Sequence, residues 1–377
     1  MIAAATAAAL LVGVATTAAA SGSTRSIGAP RSRSASCAPV APAPPGGTGY
    51  LASLTQACLV ASTKPANGDL NPYGVAVVPR TVGSLVAGDV LVSNFNNSHN
   101  LQGTGSTIVE ISPAGSAKLF AHIAPAGVHI GLTTALAVFR NGDVVVGSLP
   151  TTNGMPATAT AGDLFVLNST GQLIETIKGA NVNGPWDLAS YDGGGFGVLF
   201  VANVLNGTVA AGGKVVNKGD VVRFVLDLTK NPPAVVQQVV IAGGLAEKTD
   251  PSALVIGPTG LAMGANGTVY VADTFHSYIR AIPDGLFAGP SNSPGTVISH
   301  GSFLVGPLGL TIAPNGNLIS VNAGNAQMVE STVKGAQPEW PTVDSGGAGV
   351  LFGLAVQPGG KGIYFVNDGN NTLEIFK

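Results

Sequence analysis

Three aspartates and two histidines hold the side chains of this chain best suited to chemistry. Asp187, Asp273 and Asp368 fall at the entries or ends of short apolar runs, and His276 stands three residues after Asp273. Carboxylates set among neutral amide oxygens suit a hard cation such as calcium or another divalent ion, so Asp187, Asp273 and Asn71 form a candidate metal set. Imidazole changes charge near neutral pH, which makes His276, together with Asp187, a candidate for acid or base catalysis. Trp186 offers a flat wall for a sugar or an aromatic ligand, and His129 is a further candidate for ligand contact.

These positions gain meaning from their register. The second strand of each of six similar units ends on a short polar residue: Asn94, Ser148, Asn203, Asp273, Asn322 and Asn367. Three residues further on stand Asn97, Thr151, Asn206, His276, Asn325 and Asn370. Within the first column, Asn94, Asn203, Asn322 and Asn367 are candidate ligand-binding residues. Asparagine, serine and aspartate also close turns by bonding their own backbone, and six equivalent turns need six such residues. Departures from the repeat therefore say more than its regularities. Asp187 replaces a small residue, Trp186 and His129 adjoin inner-strand entries, and His276 breaks a column of amides and hydroxyls.

The elements that must position them are strands. Runs such as Tyr73-Gly74-Val75-Ala76-Val77, Gly260-Leu261-Ala262-Met263 and Gly353-Leu354-Ala355-Val356 are short and rich in small residues, as inner strands crowded round an axis must be. Asn141-Gly142, Asn266-Gly267 and Asn315-Gly316 then mark hairpins. Third and fourth strands follow, as in Asp163 to Leu167 and Gln172 to Ile177, so each unit makes a four-stranded blade. The spacing predicts an all-β, six-bladed β-propeller of four-stranded antiparallel blades over residues 49–377, with an insertion around Ala210 to Gly219. The last unit stops after its third strand at Lys377. The N-terminal run from Tyr50 to Ser62 is expected to supply the fourth and close the ring, which removes an exposed edge.

At residues 71–377 the pattern resembles the NHL-repeat propellers. The unit Gly257-Pro258-Thr259-Gly260-Leu261-Ala262, followed by Thr268-Val269-Tyr270-Val271-Ala272-Asp273, is similar to the family's Pro-x-Gly-aliphatic-Ala start and Tyr-Val-Ala-Asp stop. His276 and Tyr278 replace the family's usual Asn and Arg, and Thr133-Thr134-Ala135 replaces Pro-x-Gly in the second unit. The resemblance implies a ligand face at one mouth of the central tunnel. That mouth is also similar to the single-metal site of gluconolactonase-like propellers, with Asn71 and Asp187 at comparable strand entries and no counterpart of the family's metal-binding Glu.

Composition narrows the setting. The chain has 377 residues, 45% hydrophobic and 10% charged, with a formal net charge of -2, which disfavours nucleic acid and anionic membranes as partners. Residues 1–20 are apolar and end in Ala18-Ala19-Ala20, as a secretory signal peptide does, and no stable transmembrane span is expected. Residues 21–48 are rich in Ser, Pro and Gly and read as a disordered linker. The only two cysteines, Cys37 and Cys58, are expected to form one disulfide in a secreted, cell-surface or periplasmic protein. Walker-type, dinucleotide, Gly-x-Ser-x-Gly and His-Glu-x-x-His motifs are absent from the sequence.

The expected protein is a monomeric, exported binding module that receives a small molecule, a glycan or a partner's loop at the tunnel mouth. The alternative is a divalent-metal-assisted, gluconolactonase-like hydrolase or lyase using Asp187, Asp273 and His276. A structural surface module is a third reading. Convergence of the deviant side chains on one shell distinguishes the second from the others.

Overall fold

Short β-rich segments punctuated by glycine turns leave the chain one way to bury both faces of each sheet, which is to pack sheet on sheet around a ring. The computed structural model describes residues 36–377. The expected signal peptide and most of the expected linker lie outside the described residues.

Six antiparallel sheets follow one another around a central tunnel. The inner strands are Leu70–Val77, Leu132–Val138, Pro185–Asp192, Pro258–Met263, Pro307–Ile312 and Leu351–Val356. Each inner strand pairs with the next strand in sequence, and its ladder is interrupted by a register shift near its start, as between Pro72 and Val75 or Pro258 and Leu261. Such bulges re-aim the residues at the tunnel mouth. Apolar side chains fill the spaces between neighbouring blades; Phe165, Phe200, Phe224, Phe365 and Phe376 are fully buried there. Each such side chain contributes about 1.5–3 kcal/mol relative to exposure.

The ring closes as expected. Strand Gln56–Ser62 pairs with the C-terminal strand Thr372–Phe376, Cys58 lying opposite Ile375. The preceding residues Leu51–Ser53 form a 3-10 turn instead of extending the strand. Cys37 and Cys58 are disulfide-bonded, and Cys37–Pro39 adds a fifth strand to the closing blade. The stretch read as linker thus ends earlier than residue 48: this ladder and the disulfide hold residues 37–39 on the sheet.

Three further details differ from the sequence reading. Blade five has three strands, Pro307–Ile312, Leu318–Asn322 and Met328–Ser331; its outer position holds two isolated bridges, Gln327 to Thr342 and Glu330 to Glu339. Pro338 and Pro341 lack the N–H groups a regular outer strand needs. Blade three is enlarged by the long strands Val216–Asp227 and Ala234–Asp250 and the short strand Leu254–Ile256. In the Asn-Gly hairpins, Gly267 and Gly316 have positive φ and the preceding asparagines do not. Asn266 and Asn315 instead accept hydrogen bonds through Oδ1 from Thr268 N–H and Asn317 N–H, two residues on.

Candidate functional site

Glycines decide how closely the inner strands approach. A β-carbon at Gly260 would lie 2.0 Å from Leu308 O, one at Gly309 2.3 Å from Phe352 O, and one at Gly353 2.1 Å from Tyr73 O. In blade three the corresponding place holds Asp187. Its Oδ2 accepts a hydrogen bond from Leu261 N–H at 2.9 Å, bridging blades three and four. Burial pushes the Asp187 carboxyl up to about 8, although backbone N–H groups of Leu261 and Leu188 favour its anion. A cavity of about 50 Å³ adjoins it, walled by Val75, Leu136, Leu188, Leu261, Leu310 and Leu354.

Above this constriction the mouth is occupied by the protein's own rings. Tyr73 stacks on Phe352 and Phe95 with centroids 4.0 and 4.5 Å apart, and Trp186 meets Tyr73 edge-on at 5.6 Å. Leu149, Val204, Leu205, Leu254 and Val255 pack over this cluster. Gln102 Nε2 donates to Ser252 O at 3.4 Å, tying a blade-one loop to the blade-three insertion. Trp186 is 3% exposed. It serves here as filling, not as an open wall.

The column residues turn inward. Asn203 Oδ1 accepts from Asn183 N–H at 2.9 Å, Asn322 Oδ1 from Val305 N–H at 3.1 Å, and Ser148 Oγ from Gly131 N–H at 3.1 Å. Asn94 Nδ2 donates to Thr63 O and Thr107 Oγ1, and Asn367 Nδ2 donates to Asp344 Oδ2 and Glu374 Oε1. All five are buried. Their common effect is to fasten the end of the second strand to neighbouring loops.

Asp273 has the same position and a different partnership. Its Oδ2 accepts from Arg280 Nε at 2.7 Å, and the His276 Nδ1 lies 3.0 Å from the same oxygen. His276 also stacks on Tyr278 at 5.4 Å. Its side chain is 38% exposed, so a carboxylate without exposed surface orients a solvent-facing imidazole. Asn71 adopts a left-handed backbone with φ 60, donates its N–H to Asn371 Oδ1 at 2.7 Å, and leaves its own Oδ1 without a partner.

Asp187 and Asp273 therefore have separate partners, Leu261 N–H for one and Arg280 with His276 for the other, while the Asn71 side-chain oxygen is buried and unpaired. Among the described residues no group of three or more His, Cys, Asp and Glu side chains is placed to hold a metal ion.

His129 lies elsewhere, in a groove of about 380 Å³ between blades one and two. Asn97, Thr104, Ser106, Thr151, Thr152 and His129 provide its polar groups, and Ile123, Val128 and Ile130 its apolar surface. Thr151 Oγ1 donates to Gln102 O, and Ser106 N–H donates to Asp69 Oδ2, so these parts of the wall are held by the protein itself. Two titratable groups in blade three were not singled out from sequence. Glu247 has no exposed surface, and burial pushes it up to about 7 against the opposing influence of the Thr208 hydroxyl and the Asn206 N–H. Asp220, which accepts from Asn203 Nδ2 and Asn206 Nδ2, is pushed by burial to about 6. The unusual length of the third unit was the available signal for both.

No protein-family model matches the chain, and no curated protein sequence matches it. Among solved structures it is similar to a gluconolactonase from Xanthomonas campestris, with TM-score 0.55 and 12% identity over 92% of this chain and 98% of that one. A catalytically inactive virginiamycin B lyase from Staphylococcus aureus, solved with quinupristin, gives TM-score 0.49 and 13% identity over 84% of this chain and 87% of that one. A putative gluconolactonase gives TM-score 0.49 and 14% identity over 84% and 94%. At 12% identity the first likeness establishes the six-bladed architecture alone.

Proposed function

We propose that the chain is an exported propeller that binds a small, hydroxyl-rich ligand such as a sugar, and that the groove between blades one and two receives it. The groove's size and lining carry this reading: about 380 Å³ bordered by hydroxyl, amide and imidazole groups over an apolar patch. Sugars present just such an alternation of hydroxyls and C–H faces, and concave sites with a few convergent polar groups are where small ligands bind. The disulfide accords with an oxidising compartment. The ligand class is that of the glycan reading from sequence; its location moves from the tunnel mouth, which aromatic rings fill, to the groove. The test is saturation-transfer NMR of the purified chain with glucose, a disaccharide panel and gluconolactone, whose spectra also report whether the ligand is consumed. Absence of binding at a Kd of about 1 mM or tighter would remove the reading.

A hydrolase or lyase is the second reading, and one observation favours it. Asp273 holds His276 through Nδ1, which leaves Nε2 as the nitrogen able to take a proton from water or from a substrate carbon. The neighbouring fold of a gluconolactonase makes lactones the first substrates to try. No step is assigned to a metal, because Asp187 and Asp273 are held by separate protein partners. Turnover of a lactone and ester panel that vanishes in His276→Ala would establish this reading, and turnover unchanged by that substitution would exclude His276 from it.

A further inference from the structure

The incomplete blade five is covered by a segment from the other end of the chain. Trp340 N–H donates to Ala43 O at 2.7 Å, Gly49 N–H to Glu339 Oε1 at 3.2 Å, and Leu51 N–H to Glu330 Oε2 at 2.9 Å. Tyr50 Oη donates to Gly360 O at 3.1 Å. Residues 43–51 therefore form a strap whose backbone is read by two glutamates.

Those glutamates face each other across the isolated bridge from Glu330 to Glu339. Neither has exposed surface. A β-carbon at Gly49 would lie 2.4 Å from Glu330 Oε2 and 2.5 Å from Glu339 Cγ, and one at Gly47 would lie 1.6 Å from Glu339 Oε1. The two side chains thus converge directly beneath two glycines, where a β-carbon would push the carboxyl groups aside.

Their hydrogen bonding is unequal. Glu330 accepts from Leu51 N–H and from Asn315 and Asn317 Nδ2 at 2.8 and 2.6 Å. Glu339 accepts from Gly49 N–H alone, and its Oε2 has no partner. No lysine or arginine among the described residues forms an ion pair with either carboxylate; Tyr50 is the other titratable group facing them. Two adjacent buried carboxylates without a cation cannot both be ionised at low cost. Glu339 has fewer donors to stabilise an anion. Burial and then the charge of Glu330 push it upward, against the Gly49 N–H bond.

We propose that the strap is a pH-governed latch, seated over blade five while Glu339 is protonated and loosened when Glu339 ionises beside Glu330. A carboxyl raised in the docked state adds stability that is complete below its free value, about 4.3, and is lost as pH rises through the docked value. Acid seats the strap and alkali releases it. Release would uncover the outer edge of blade five, where Trp340 N–H meets Ala43 O.

Hydrogen exchange of residues 43–51, followed by mass spectrometry on the oxidised full chain and corrected for intrinsic rates, tests this. Strand Gln56–Ser62, paired with Thr372–Phe376, is the internal control. The expected result is a fall in strap protection of up to about tenfold per pH unit between the free and docked values, with the control unchanged. Glu339→Gln, neutral at every pH, should keep the strap protected throughout. Equal wild-type protection at pH 5 and pH 8 would overturn the latch. So would a pH-dependent loss in Glu339→Gln matching the wild type. If that variant does not fold, the wild-type comparison decides alone.

Discussion

Asp187 accepts a hydrogen bond from Leu261 N–H at 2.9 Å across the junction of blades three and four. At the junctions that follow, glycine stands in the same place and the strands meet backbone to backbone. The most conspicuous acid of the sequence thus bridges two blades inside a leucine-lined constriction.

The carboxyl's elevation to about 8 has a definite sign. Its free value is about 3.9, so the unfolded chain loses this proton first and stability declines as pH rises from about 4 to about 8. Asp220 and Glu247, raised to about 6 and 7, act in the same direction. Asp187→Asn keeps an oxygen for Leu261 N–H and cannot ionise. Melting curves from pH 5 to 9 should show a shallower decline in Asp187→Asn than in the wild type.

Close approach of the inner strands predicts intolerance of a single methyl group. Gly309→Ala would place a β-carbon 2.3 Å from Phe352 O and 2.6 Å from Leu354 Cδ2. A loss of about 1–3 kcal/mol is expected in denaturant titration. Gly289→Ala, with no atom within 4 Å of its β-carbon, should lie within about 0.5 kcal/mol of the wild type.

The Asp273 cluster separates structural from catalytic roles. Asp273 has no exposed surface and holds both Arg280 and His276, so Asp273→Asn should destabilise by about 3–5 kcal/mol. His276 is partly exposed, and its pairing should contribute no more than about 1 kcal/mol. Chemical denaturation of Asp273→Asn and His276→Ala checks both. Any enzymatic defect of His276→Ala would then be free of a folding defect.

The disulfide should stabilise without defining the fold. Cys37 and Cys58 are 21 residues apart, and closing a loop of this size contributes roughly 3 kcal/mol. The ladder from Gln56–Ser62 to Thr372–Phe376 remains without it. Reduction should lower the denaturation midpoint while leaving far-ultraviolet circular dichroism unchanged.

The architecture was legible in the sequence because it is periodic. Strand ends at Asn94, Asn203 and Asn322, the chain's stop at Lys377 and the cysteine pair led to six blades, N-terminal closure and one disulfide. The site was less legible. An asparagine that fastens a loop and one that holds a ligand occupy the same kind of turn, and only burial separates them. The rings of Tyr73, Trp186 and Phe352 come from three blades, so sequence order did not reveal that they fill the mouth. The groove likewise depends on loops of two blades meeting. Glu330 and Leu51 are 279 residues apart, and no local pattern announces their bond.

The most direct test of the account is saturation-transfer NMR of the sugar and gluconolactone panel against the wild type, His129→Ala and, as a mouth control, Asp368→Asn, whose carboxyl acts on the mouth ring Tyr73. The groove reading predicts binding by the wild type and Asp368→Asn, with affinity reduced roughly tenfold or more in His129→Ala, a loss of about 1.4 kcal/mol. Binding that survives His129→Ala undiminished but disappears in Asp368→Asn would place the ligand at the tunnel mouth and contradict it.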